Sequence, residues 1–362
     1  GFFQFNYLST GEYGALAVVR SAAGLPLNRE RIAYGLGPQL VYNLSSNEVI
    51  KNISFMVQRE TPKIKLTHVD WKGPRWGWMH FNQSLNDISF EGVKIIDSDS
   101  SGLTPNYYQD SSEKSRFLLT LNDTLNEGKV NLNIKKIVPN SGPSTSNSAI
   151  SFRVSNDPDS SHLYLLKPPL TSVINKDNKG GPLVSVVFSK PIESFSDSAF
   201  QIISDSDTTL ASMTKVNPME FTFLPKKGWK EKKTYRLLLS SKYLLPIEGK
   251  SFPDPIKSID VISKKKIGYG TLLGSLVGAQ KPSIIRLKLI SKVPEYFISD
   301  VDSNDEFYVN ELPEGRYELM VINDSNKDKI YNYGTIIPLK KSEWFYISPD
   351  TFEVRANWEI DI

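Results

Sequence analysis

Short stretches in which apolar and polar residues alternate recur along the whole chain. Residues 130–134 (Val-Asn-Leu-Asn-Ile) form one such stretch, and residues 235–239 (Tyr-Arg-Leu-Leu-Leu) form another. An alternation with a period of two puts every second side chain on one face, which is typical of a β-strand with one buried face. Glycine and proline, 22 residues of each, separate these stretches, as turns between many short strands require. The pattern predicts an all-β fold with little helix.

A sequence repeat fills the middle of the chain. Residues 81–85 match residues 188–192, which aligns Phe81 with Phe188 and Leu85 with Ile192. At nearly the same spacing, Val93 and Ile95 match Phe200 and Ile202, Phe117 and Leu119 match Phe221 and Phe223, and residues 130–134 match residues 235–239. A repeat of roughly 100 residues made of short strands is the size of a seven-stranded Ig-like sandwich. The middle of the chain is therefore predicted to hold two tandem β-sandwiches.

A second repeat links the two ends of the chain. Phe3, Phe5, Asn6, Leu8, Gly11 and Tyr13 align at a constant spacing with Phe307, Val309, Asn310, Leu312, Gly315 and Tyr317. Alternating apolar residues, a Leu-x-x-Gly turn and an apolar return segment predict a β-hairpin in each copy. The first copy has no counterpart of the residues that precede Phe307. We therefore expect an incomplete or composite module at 1–60 and a natural chain that begins earlier.

These patterns divide the chain into four predicted segments. A truncated module at 1–60 precedes two sandwiches, at 61–160 and 161–264, and a complete copy of the first module follows at 265–362.

The residues of both repeats resemble known families. Residues 80–85 and 187–192 are similar to the apolar-x-Phe-(Ser/Asn)-x-(Pro/Ser)-(Leu/Ile) strand of bacterial Ig-like domains. Residues 302–317 resemble the Asp-x-Asn-x-x-Phe-x-Val-x-x-Leu-Pro-x-Gly-x-Tyr pattern of carboxypeptidase regulatory-like domains, which are prealbumin-type β-sandwiches. Together they look like large cell-envelope lipoproteins of Bacteroidota. The resemblance implies a location at the outer membrane, with a lipid anchor outside this chain.

Composition narrows the functional classes. The 43 basic and 40 acidic residues give a formal net charge of +3, which provides no strong attraction to nucleic acid or to an anionic membrane. The chain has no cysteine, which excludes disulfides, thiolate metal sites and thiol nucleophiles. Residues 268–274 imitate a dinucleotide-binding loop, but they follow a lysine run instead of a strand. We expect no catalytic site and no resident cofactor, with calcium as the one possible exception.

One polar loop carries oxygen ligands at a spacing that suits calcium. Asp324, Asn326, Asp328 and Asn332 occupy positions 1, 3, 5 and 9 of this loop, and Ca²⁺ prefers oxygen-only ligands. Lys329 stands where the usual glycine would be. Two interpretations stay open, a calcium site and a polar turn closed by its own hydrogen bonds.

Three tryptophans form the candidate binding surface. Trp71, Trp76 and Trp78 lie close together in sequence, and exposed aromatic rings would make a glycan platform or a partner-binding site. The alternative is that at least two of them belong to the sandwich core. The long connections 98–116 and 139–148 are also expected to lie in a protein–protein interface, because two to six residues suffice to join strands.

The sequence thus predicts a non-catalytic structural and interaction protein of the bacterial cell envelope. Its expected partners are other envelope proteins. It would be an accessory lipoprotein subunit of an outer-membrane assembly or translocon complex. The main alternative is a glycan-binding or adhesive surface protein that uses Trp71–Trp78, and a third is the accessory region of an enzyme.

Overall fold

The computed structural model describes residues 2–22, 24, 26–28, 31–60, 62–85, 88–139, 144–155, 157–174, 182–204, 207–264, 268–292 and 294–362. These residues are built of strands, with three short 3-10 helices at Arg20–Ala22, Asp197–Ala199 and Ser241–Tyr243. The predicted all-β fold is confirmed. Two compact units are present, one of Gly1–Pro62 with Ile267–Ile362 and the other of Lys63–Lys266. Within the described ranges, no helix has the length and apolar character needed to span a membrane.

The described residues of the N-terminal segment form four strands of three residues each. They are β1 (Gly11–Tyr13), β2 (Leu16–Val18), β3 (Tyr34–Leu36) and β4 (Tyr42–Leu44). β1 pairs with β4 and β2 pairs with β3, both antiparallel. Residues 2–8 form no strand, and Phe3 and Phe5 are exposed. The predicted hairpin is therefore wrong in this copy, because residues 2–8 have no pairing strand among the described residues.

The first central sandwich, in its described part, has eight strands in two antiparallel sheets. They are β5 (Leu66–Trp71), β6 (Trp76–Phe81), β7 (Ile88–Ile96), β8 (Gly102–Leu103), β9 (Asn106–Gln109), β10 (Arg116–Thr120), β11 (Gly128–Pro139) and β12 (Thr145–Val154). The sheet orders are β5-β6-β10-β9 and β12-β11-β7-β8, which is the strand arrangement of Ig-like sandwiches. Met79, Ile95, Leu119 and Leu132 fill the core between the sheets.

The second central sandwich repeats this order. Its strands are β13 (Leu165–Lys167), β14 (Thr171–Ile174), β15 (Val184–Phe188), β16 (Ile192–Phe195), β17 (Phe200–Ser204), β18 (Asp207–Leu210), β19 (Ser212–Asn217), β20 (Glu220–Leu224), β21 (Thr234–Ser240), β22 (Leu244–Pro246) and β23 (Ile256–Ser263). The sheets run β13-β15-β20-β19 and β14-β23-β21-β17-β18, and β16 pairs with β22. Strands β6, β7, β10 and β11 thus correspond to β15, β17, β20 and β21, as the sequence repeat predicted.

The predicted loop at 139–148 is wrong. β11 extends to Pro139 and β12 begins at Thr145, so all the described residues of this stretch except 144 belong to two paired strands. Residues 140–143 lie outside the described residues.

The C-terminal segment is a third sandwich. Its strands are β24 (Tyr269–Ser275), β25 (Ile284–Leu289), β26 (Glu295–Asp300), β27 (Glu306–Pro313), β28 (Gly315–Ile322), β29 (Phe345–Ile347), β30 (Phe352–Val354) and β31 (Glu359–Asp361). One sheet has the order β27-β24-β31, and the other has the order β26-β25-β28-β29 with β30 also paired to β28.

The predicted hairpin of β27 and β28 is wrong as well. β27 pairs with β24, whereas β28 pairs with β25, β29 and β30, so the chain crosses from one sheet to the other between them. The crossing lets Leu312 and Tyr317 enter the same core from facing sheets. The Tyr317 hydroxyl donates to the carbonyl oxygen of Pro313 at 2.7 Å, the hydrogen bond that marks such corners in Ig-like sandwiches.

Candidate functional site: the junction between the central sandwiches

The outer face of the β6–β10 sheet is apolar, and the second sandwich covers it. Trp76 and Trp78 on β6 and Leu118 on β10 form one buried cluster with Met219 and Ile247 of the second sandwich. Strands usually alternate between a buried and a solvated face, but β6 and β10 are buried on both faces. The two sandwiches therefore share a small apolar core of their own.

Arg75 joins the two sandwiches at the edge of this cluster. Its guanidinium donates to Glu193 Oε1 and to the backbone oxygen of Ile247, each at 2.6 Å. Its backbone N–H donates to Glu248 Oε1 at 3.2 Å. The hydrogen bond with Glu193 raises the pKa of Arg75 above its usual value. One residue of the first sandwich thus reaches three groups of the second.

Glu248 lies in the junction and is only partly balanced by positive charge. Burial raises the pKa of Glu248, and the hydrogen bond from the backbone of Arg75 and the charge of Arg75 act against this increase. A carboxylate that loses hydration in this way prefers its neutral form. Stability of the junction should therefore depend on pH.

A partly buried ion pair fixes the segment that links the sandwiches. The ammonium of Lys190, 5% exposed, bonds to Asp159 Oδ2 and donates to the backbone oxygen of Ser161 at 2.8 Å. Burial alone would raise the pKa of Asp159, but hydrogen bonds from Lys190 and Ser161 lower it overall. Buried charges are tolerated when they are paired in this way. The linker is therefore anchored to the second sandwich.

A cavity of about 110 Å³ opens beside the cluster. It is lined by residues of both sandwiches, among them Trp78, Asp110, Arg116, Asn217 and Glu220. The guanidinium carbon of Arg116 lies 4.3 Å from the centroid of the Trp78 ring, and the same guanidinium pairs with Asp110 at 2.6 Å.

The connection 98–116 also reaches the second sandwich, since Lys167 donates to Ser112 Oγ at 2.6 Å. The predicted single connection is wrong, because 98–116 contains β8 and β9 and reaches the start of β10. Its residue Ser112 takes part in a contact within the chain. That contact was not expected from the sequence.

The structure does not offer the three tryptophans as an exposed surface. Trp76 and Trp78 are 6% and 9% exposed. Trp71 packs on the core of the first sandwich, with its ring centroid 5.1 Å from that of Phe152. The sequence repeat contains a sign of this burial that sequence reasoning missed. Ser185 and Thr222 of the second sandwich are aligned with Trp78 and Leu118 of the first. Apolar residues at outward positions of only one copy indicate that something covers that face.

The loop proposed for calcium is closed by its own hydrogen bonds. Asp324, 2% exposed, accepts the backbone N–H groups of Asp328 and Lys329, each at 3.0 Å. The side-chain amides of Asn326 and Asn332 turn their N–H groups toward Asp328 Oδ2, at 2.7 and 3.3 Å. Asn332 also donates its backbone N–H to the buried Glu343 at 3.0 Å. This geometry favours the polar turn, since amide donors point where a cation would need oxygen.

Comparison with known proteins adds little to this geometry. No protein-family model matches the sequence, and no curated protein does. Among solved structures, a surface glycan-binding protein of Bacteroides ovatus shares 10% identity over 72% of this chain and 71% of its own, with a TM-score of 0.25. The four N-terminal Ig domains of Dscam1 share 8% identity over 91% and 80%, with a TM-score of 0.26.

The N-terminal part of the bacterial S-layer protein SbsC shares 13% identity with a TM-score of 0.24. The alignment covers 56% of this chain, which spans only 44% of that fragment. TM-scores this low establish no common arrangement of domains.

Proposed function

We propose that this chain is a non-catalytic structural and interaction protein of the bacterial cell envelope. In this proposal, the chain consists, in sequence order, of a truncated regulatory-like module (1–60), two Ig-like sandwiches (61–160 and 161–264) and a complete regulatory-like module (265–362). Its partners are other envelope proteins in an outer-membrane assembly or translocon complex, where it serves as an accessory subunit. Its contact with the membrane is through a lipid anchor outside this chain.

The junction between the central sandwiches is the observation that carries the proposal. Flexibly linked domains share small polar contacts and move relative to each other, but here Trp78, Leu118 and Met219 make an apolar core. Arg75 adds hydrogen bonds to Glu193 and Ile247. A protein that spaces binding surfaces needs such a fixed contact. Two ion pairs, Arg75 with Glu193 and Lys190 with Asp159, lie at the junction and the linker, which suits a structural role.

The glycan-binding alternative keeps one supporting feature. Burial removes Trp76 and Trp78 as an exposed platform, but the cavity beside Trp78 is lined by carboxylates and amides, including Asp110, Asn217 and Glu220. Such groups exchange hydrogen bonds with sugar hydroxyls. Glycan binding therefore stays as the second candidate and would be located in this cavity.

The proposal is tested by cross-linking and purifying the full chain from native membranes. We expect envelope proteins to be recovered in fixed ratio. Met219→Asp, which puts a carboxylate into the apolar junction, should reduce their recovery. Val216→Asp is the matched control, because Val216 lies on β19, three residues before Met219 in the turn that follows, and is exposed.

Recovery of the chain without partners from a soluble fraction would contradict the proposal. So would a catalytic turnover that one point substitution abolishes. Saturable binding to a glycan array, lost in Glu220→Gln, would favour the second candidate.

A further inference from the structure

Two histidines stack on each other on the outer face of the first sandwich. His68 on β5 and His80 on β6 are directly paired across the two strands. Their ring centroids lie 4.1 Å apart, and the ring planes are within 8° of parallel. His68 is exposed, whereas His80 is half-buried. The ring of His68 therefore covers the ring of His80 on one side.

One ring nitrogen of His80 has no hydrogen-bond partner. Its Nε2 is buried, and no donor or acceptor of the described residues lies within hydrogen-bond distance of it. A neutral imidazole can leave this nitrogen unprotonated, whereas protonation makes both ring nitrogens donors. A buried N–H group that carries positive charge and has no acceptor loses its hydration without compensation. The site of His80 therefore suits the neutral ring and disfavours the charged one.

Basic side chains flank His80 on both sides. Arg116 on β10 is its direct partner across one edge of β6, and His68 is its partner across the other. Burial lowers the pKa of His80, and the charges of these two basic neighbours lower it further. The carboxylates of Glu113 and Asp70 oppose this decrease, but Glu113 is already paired with Arg116 Nε at 3.3 Å. A proton on His80 would therefore add a third positive charge to this row.

Arg116 connects His80 to the junction between the sandwiches. The guanidinium carbon of Arg116 lies 4.3 Å from the centroid of the Trp78 ring, and the guanidinium pairs with Asp110 at 2.6 Å. Trp78 belongs to the same buried cluster as Met219 of the second sandwich. A charge on His80 therefore repels the side chain that covers Trp78 at this contact.

We propose that His80 is a pH sensor of the junction, and that proton uptake by its ring loosens the contact between Trp78 and Met219. This regulation rests on the proposed function of the junction as a fixed contact, and it requires no particular partner.

The sign of the effect follows from the depressed pKa of His80. The folded chain binds this proton more weakly than the unfolded chain does. The stabilisation from neutral His80 is therefore fully present above the unfolded pKa of about 6.5 and is lost as pH falls through the lower folded pKa. Glu248, whose pKa is raised, shifts stability in the opposite direction and is present in every chain compared below.

NMR of the full chain with labelled histidine tests the first step. The chain has three histidines, so their ring signals can be followed separately as pH is lowered from about 8 to about 5. His80→Phe identifies the signal of His80, because phenylalanine keeps an aromatic ring against His68 but has no titratable nitrogen. We expect His80 to titrate below the ordinary histidine pKa of about 6.5.

The methyl signal of Met219 reports the junction, because Trp76 and Trp78 lie in the same cluster and their rings shift this signal. We expect it to move toward the value of an exposed methionine as pH falls, with the same midpoint as the His80 titration. In His80→Phe it should move much less. Met79 is the internal control, since it is fully buried in the core of the first sandwich and its signal should keep its position.

Three results would each overturn the proposal. The first is a pKa of His80 at or above about 6.5. The second is a Met219 signal that does not move, or that moves equally in the natural chain and in His80→Phe. The third is a joint loss of the Met79 and Met219 signal positions, which would mean that the sandwich itself unfolds.

Two further points keep the test decisive. If His80→Phe does not fold, His80→Gln gives the same comparison with a side chain that is polar but does not titrate. Recovery of partner proteins at neutral pH is measured separately. Absence of partners therefore counts against the proposed function alone, and absence of the pH response counts against the sensor alone.

Discussion

Gly73 of the first sandwich lies against the carboxylate of Glu248 of the second. A Cβ on Gly73 would come within 2.6 Å of Glu248 Cδ, closer than any real contact of this type. Glycine at this position therefore lets Glu248 accept the backbone N–H of Arg75. A substitution at Gly73 therefore alters the junction and leaves both sandwich cores unchanged.

Gly73→Ala should lower the free energy of unfolding by about 0.5–1.5 kcal/mol, because the flexible Glu248 carboxylate must turn away and lose its hydrogen bond from the backbone N–H of Arg75. Chemical denaturation of the full chain measures the change. Gly102→Ala is the control, because its nearest neighbour, Ile96 Cδ1, would lie at an ordinary 3.7 Å. Equal effects of the two substitutions would mean that the contact between Gly73 and Glu248 does not form.

The pH dependence of stability should reveal Glu248. Burial raises its pKa in the folded chain, so the folded state binds its proton more tightly than the unfolded state does. The stabilisation from this proton is fully present below the unfolded pKa of about 4.3. It is lost as pH rises through the higher folded pKa.

Glu248→Gln provides the reference, since glutamine does not titrate and the other carboxylates are unchanged. The stability of the natural chain relative to Glu248→Gln should fall as pH rises above about 4.3. Thermal unfolding of both proteins at several pH values measures the difference. If the stability of the natural chain relative to Glu248→Gln stays constant or rises as pH increases, Glu248 is hydrated in the folded chain.

Part of this architecture could be predicted from the sequence, and the missing part has a physical reason. The central repeat was visible because Phe81 and Phe188 fill equivalent places in two cores, and core positions limit which residues fit. The supposed hairpin was wrong because alternation shows which face of a strand is buried but does not show which strand it pairs with. Leu312 and Tyr317 fit a hairpin and a crossing between sheets equally well.

The junction was missed for a related reason. An apolar side chain at an outward position, such as Trp78, fits an exposed platform as well as a covered face. Only tertiary contacts decide between them, and Met219, which covers this face, is distant in the sequence.

The corner tyrosines should differ in their contribution to stability. Tyr317 is fully buried and Tyr13 is half-buried, although each makes the same 2.7 Å hydrogen bond. Tyr317→Phe should cost about 1–3 kcal/mol, because the carbonyl oxygen of Pro313 loses its donor in a site with little access to water. Tyr13→Phe should cost less than about 1 kcal/mol, since water can replace its hydroxyl. Urea denaturation measures both changes, and a larger loss for Tyr13→Phe would contradict this account.

The Asp324 loop should be stabilised by its internal hydrogen bonds whether or not calcium is present. Both oxygens of Asp324 accept backbone N–H groups, so Asp324→Asn replaces one acceptor with a donor and should cost about 1–3 kcal/mol. Thermal unfolding is measured in millimolar calcium chloride and again with a chelator, and the natural chain should give the same midpoint in both. Asn326→Asp is the matched comparison, because it adds a carboxylate and removes a donor to Asp328, which is the change that a cation site would favour. The loop would be an ion site instead of a polar turn if calcium raised the unfolding midpoint of the natural chain but not that of Asp324→Asn.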